Sequence, residues 1–139
     1  MPFTVLRVPS VRRVVDIDMT KRERRAYDAA VDALKGEGCR AGGKRLAATD
    51  AVDYPMCQRS LYAAWRMTTV YRSDSSIVIV SVAKHTESES PAAVLAEIFP
   101  GLSAAGRRRS EQPPCCEEPT APPTLSRELD ALLFDMFSV

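Results

Sequence analysis

The sequence predicts an α+β fold, in which one strand and one or two helices lead into three antiparallel strands and a short helix. Three observations carry this reading. Thr20 and Glu23 form a T-x-x-E pair that opens a run with apolar residues at helical spacing. Two β-rich runs, 65–72 and 77–83, flank the turn residues Ser73-Asp74-Ser75-Ser76. Ser90-Pro91 then begins a second helical run, with serine suited to the cap and proline to the first turn.

The elements follow in order. Phe3, Val5 and Arg7 alternate with their neighbours, so residues 2–8 read as a strand that Pro9 stops. Residues 10–18 stay open: Val11, Val14 and Val15 have helical spacing, but the run is β-branched. The helix that starts at Thr20 places Tyr27, Ala30, Val31 and Leu34 on one face and ends at Gly36 and Gly38. Residues 37–55 read as loop. Gly42-Gly43-Lys44-Arg45 lacks the spacing of a phosphate-binding P-loop and reads as a basic turn. Strands are expected at 56–62, 65–72 and 77–83, the last nearly all apolar and so covered on both sides. Val94, Leu95, Ile98 and Phe99 give the following helix its apolar face, and Pro100-Gly101 ends it.

Three segments result: a domain over 1–100, a proline-rich flexible linker over 101–123, and an acidic amphipathic helix over 124–139. A chain of 139 residues with 45% hydrophobic and 27% charged residues suits one globular domain with a tail. No apolar run reaches the ~18 residues of a membrane span, and MPFTVLRVPSVRR lacks the apolar stretch of a signal peptide. A cytoplasmic protein without a membrane partner is therefore expected. In that reducing compartment Cys39, Cys57, Cys115 and Cys116 would be free thiols. Their spacing fits no C-x-x-C pattern, so no metal or other cofactor is expected.

The formal net charge of +1 hides a split. Residues 1–110 hold 18 Lys+Arg against 12 Asp+Glu, whereas residues 111–139 hold Arg127 and six acids. A basic body suggests a polyanion-binding surface, and the acidic helix 125–137 is expected to shield that surface or form a homodimer. A solvated tail that serves only solubility is the competing explanation.

Trp65-Arg66 opens one β run, and Lys84-His85, with the only histidine, closes its neighbour. Antiparallel pairing would bring these ends together. The aromatic-Arg strand start, the apolar run 77–83, the ending Ser81-Val82-Ala83-Lys84-His85 and the GGKRLA stretch resemble the RelE/ParE superfamily of bacterial toxins from type II toxin–antitoxin modules. The resemblance spans roughly residues 2–99 and is strongest over 59–99.

The resemblance implies a small twisted antiparallel sheet of about four strands, with two N-terminal helices and a short helix after the last strand. It also implies a ribosome-dependent mRNA endonuclease that inhibits translation, a cognate antitoxin, and cleavage by the 2′-hydroxyl without a metal. Such chemistry needs proton transfer and positive charge over the phosphorane. Arg66 would stabilise the phosphate and His85, with an imidazole near pKa ~6.5, would move a proton. Arg59, Lys84, Arg72, Lys44 and Arg45 would bind RNA phosphates, and Tyr62 or Tyr71 would stack on bases. Cys57 and Pro91 stand where the RelE branch has a lysine and a tyrosine. That departure keeps open a ParE-like inhibitor of DNA gyrase, or a non-catalytic interaction module.

Overall fold

A computed structural model describes residues 3–47, 53–62, 64–72, 76–84, 115–116, 127 and 131, with 45–47 and 53–56 described as backbone only. The chain runs β1 (Thr4–Arg7), α1 (Pro9–Ile17), α2 (Lys21–Glu37), a 3₁₀ turn (Gly38–Ala41), β2 (Lys44–Ala47), β3 (Asp53–Ser60), β4 (Trp65–Tyr71) and β5 (Ser76–Lys84). The fold is α+β with two helices and one mixed sheet in the order β1-β5-β4-β3-β2.

Pro9 does not merely stop β1. It occupies the first turn of α1, where its fixed φ suits a helix and its missing N–H costs nothing. This settles residues 10–17 as helix with Asp18 at its C-cap, because Val11 and Val15, one turn apart, are both buried in the core. Thr20 and Glu23 form the expected capping box: the Thr20 hydroxyl accepts from the Glu23 N–H at 3.2 Å, and the Thr20 N–H donates to Glu23 Oε1 at 2.8 Å. Arg24 reaches back to the end of α1 and donates to the carbonyls of Val15 and Asp16, both at 3.2 Å. Tyr27, Ala30 and Leu34 bury one stripe of α2, and Gly38 ends the helix at φ 64°.

Two expectations about the middle of the chain need correction. Residues 37–55 are not simply loop. They contain the 3₁₀ turn, β2 and the first residues of β3. The polar composition of β2 concealed it, as is usual for an edge strand. The sheet has five strands rather than about four, and it is not wholly antiparallel. β2, β3, β4 and β5 form an antiparallel meander, while β1 lies parallel to β5, with Thr4 opposite Ser76 and Arg7 opposite Ile79. The two helices and the meander provide the long crossover that parallel pairing requires. The expected helix after β5, the linker and the C-terminal helix lie outside the described residues, apart from helical backbone at Arg127 and Ala131. No described helix is long and apolar enough to cross a membrane.

The cysteines are not free thiols. Cys39 pairs with Cys116, Cys57 pairs with Cys115, and both pairs have Cα atoms 5.7 Å apart. This overturns the free thiols expected for a reducing compartment, since such bonds persist where the environment oxidises. It also anchors two residues inside the stretch read as a flexible linker. The Cys57–Cys115 bond spans 58 residues, and closing a loop of that size is worth about 4 kcal/mol. The second bond then closes a ring of only about 20 residues through the first, worth about 3 kcal/mol. Full reduction should therefore lower the free energy of unfolding by several kcal/mol, measured by denaturant titration with and without a dithiol. Unchanged midpoints would contradict the pairing.

Candidate functional site at the end of the sheet

The register between β4 and β5 decides what the site contains. Trp65 lies opposite Lys84, Arg66 opposite Ala83, and Met67 opposite Val82. The strand ends therefore meet, as the sequence suggested. Side chains alternate across a strand, however, so Trp65 and Lys84 share one face while Arg66 lies on the other.

The first face carries the helices. Trp65 is buried, and the Lys84 ammonium sits 5.5 Å from the centroid of its ring. The Trp65 indole N–H lies against the Glu23 carboxylate without forming a well-aligned hydrogen bond. Glu23 is held below the usual carboxylate range, first by the Thr20 backbone N–H, then by Trp65, with a smaller pull from Lys84. Tyr62, in the turn after β3, is 46% exposed. Arg22 stands 5.6 Å from its ring centroid and donates to its hydroxyl at 3.2 Å. The start of α2 thus supplies Arg22 and Glu23 to this end of the sheet. In the sequence Glu23 stands out only as a capping residue, and Arg22 carries no site signal.

The far face carries Arg66, with Ser60 and Ala83 directly across from it. In the next row toward the centre, Lys44, Gln58, Thr68 and Ser81 face one another across four strands. Gln58 donates to the Thr68 hydroxyl at 3.3 Å. With strands ~4.8 Å apart and ~3.3 Å per residue, the Cα atoms of Lys44 and Arg66 lie about 12 Å apart on one face. That face is closed at Thr68, Val70 and Val78, but partly open at Gln58, Arg66, Ser81 and Ala83. The result is a polar strip with a cation at each end.

Other expected site residues fall elsewhere. Arg59 is half-buried and donates to the Ala41 carbonyl at 3.0 Å, which ties β3 to the 3₁₀ turn. Arg72 follows the opposite end of β4, about 20 Å of strand from Arg66, and its N–H donates to the Ser76 carbonyl at 3.0 Å. Tyr71 is buried, its hydroxyl accepts from Thr69 at 3.1 Å, and burial raises its pKa. Its ring is not available for base stacking. Arg45 lies opposite Cys57 in register, with only its backbone described. His85 and Pro91 lie outside the described residues. A separate cleft of about 500 Å³ runs between β1 and α2, lined by Val5, Arg7, Tyr27, Asp28 and Lys35 among others. It lies away from the Trp65–Lys84 end.

The Glu23 geometry gives a pH dependence. A carboxyl whose folded pKa is depressed contributes stability that is complete above its unfolded value, near 4.5, and lost as pH falls through the folded value. Glu23→Gln should therefore flatten the fall in stability below pH 4.5, read as the melting temperature across an acid pH series. Parallel curves for both proteins would remove this role.

No protein-family model matches this sequence, and no curated protein matches it either. The sheet-end geometry is therefore the ground for any functional reading.

Proposed function

We propose that this chain is a RelE-type toxin that binds RNA at the open end of its sheet and cuts translated mRNA. The observation that carries the reading is the strip on the far face, where Arg66 and Lys44 accompany the open or partly open polar side chains of Ser60, Gln58 and Ser81. Cations spaced along a polar sheet face suit a phosphate backbone, and an exposed ring at the edge suits base stacking. Tyr62, steadied by Arg22 on the helix side of the same sheet end, supplies such a ring. The chain order also supports the resemblance, since strand, two helices and an antiparallel meander follow one another as that family's pattern implies.

In this reading Arg66 stabilises the phosphorane, His85 transfers the proton, and Lys84 adds positive charge at the neighbouring strand end. Arg59 holds the 3₁₀ turn instead of contacting RNA. The ribosome would present the mRNA, and a cognate antitoxin would restrain the toxin. Primer extension on translated mRNA tests the reaction. Wild type should give discrete new ends, while His85→Ala and Arg66→Ala should remove them. Uncut transcripts with wild type would sink the nuclease.

A second reading, a ParE-like inhibitor of DNA gyrase, draws on one observation. Buried Tyr71 and tethered Arg59 leave few groups for RNA chemistry. Inhibited gyrase supercoiling with intact mRNA would favour it. RNA binding has its own test. Removing a stacking ring costs about 1–3 kcal/mol, so Tyr62→Ala should weaken binding to single-stranded RNA by roughly 5- to 150-fold. Equal affinities would take Tyr62 out of the surface.

A further inference from the structure

Cys115 and Cys116 are adjacent in sequence, yet their two disulfides sit in different surroundings. Cys57 and Cys115 are both fully buried. The Cys115 N–H donates to the Gly43 carbonyl at 2.9 Å. A Cβ placed at Gly42 would lie 3.2 Å from the Cys115 sulfur and would also collide with the Tyr71 hydroxyl. Gly42 thus lets the backbone close over this bond, and Cys115 is sealed between the 3₁₀ turn and β3. Cys39 and Cys116, by contrast, are each only partly buried. Cys39 belongs to the 3₁₀ turn, next to exposed Arg40.

We propose that Cys39–Cys116 is a thiol-exchange site for a small or protein dithiol, and that Cys57–Cys115 is an inert structural bond. Exchange requires a thiolate to approach one sulfur in line with the other, so access decides which bond opens. The dithiol's thiolate attacks the sulfur of Cys39 or Cys116. The protein S–S bond breaks, a mixed disulfide forms, and the other cysteine leaves as a thiolate that takes up a proton. The second thiol of the dithiol then displaces the first cysteine. The products are two protein thiols and one oxidised dithiol, with two electrons and two protons passed to the protein. Opening this bond frees Cys116 from the 3₁₀ turn, while Cys115 remains held by Cys57 and Gly43. The site does not depend on any RNA-directed activity.

The full chain, purified without reductant, should contain no free thiol, and peptide mapping should return both pairings. Under graded dithiothreitol with alkylation and mass spectrometry, Cys39 and Cys116 should become labelled roughly tenfold faster than Cys57 and Cys115, or more. Denaturant should abolish the difference. The double variant Cys39→Ser/Cys116→Ser should keep the Cys57–Cys115 bond and unfold cooperatively. Equal labelling rates in the native protein, another pairing, or loss of the inner bond in the double variant would each overturn the proposal.

Discussion

The pairing of β4 with β5 governs the rest of the structure. Both strands are almost wholly buried, so their mutual register fixes which residues reach water at all. Hydrophobic burial makes that register costly to change, because a slip of one residue would turn every side chain to the opposite face. A bulge interrupts it, since Thr68 faces Ser81 while Thr69 faces Ile79, leaving Val80 as the extra residue. Through this pairing Trp65 comes to Lys84 and to the start of α2, and Arg66 is directed away from both.

Much of the fold was legible. Pattern and capping chemistry gave α2 from Thr20, the strands at 65–72 and 77–83, and the meeting of Arg66's strand end with Lys84's. Local rules suffice there because each element also satisfies itself locally. β2 was hidden because Lys44-Arg45-Leu46-Ala47 has too little apolar alternation to mark an edge strand. The disulfides were hidden because cysteine pairing depends on distant approach, which spacing does not encode. The Cys115-Cys116 doublet was the one available signal, since adjacent cysteines are poorly placed to bond each other and so reach separate distant partners.

The candidate site was legible in its residues and not in its grouping. Listing cations at one sheet end is a one-dimensional operation, whereas a sheet has two sides. Alternation separates Arg66 from Lys84, unites Arg66 with Lys44, and leaves Arg59 beside the 3₁₀ turn. Burial withdraws Tyr71 and leaves Tyr62. The contribution of α2 was missed for a different reason. Arg22 and Glu23 are fully explained as helix residues, and only tertiary packing gives them a second role.

The parallel placement of β1 beside β5 bears on how the chain is made. β1 is complete by residue 7, but its partner begins at Ser76. A ribosome adding about 5–20 residues per second leaves β1 without its sheet neighbour for several seconds. The helices and the local hairpins have no such wait, as their contacts are close in sequence. Of the described strands, β1 thus waits longest for its sheet neighbour.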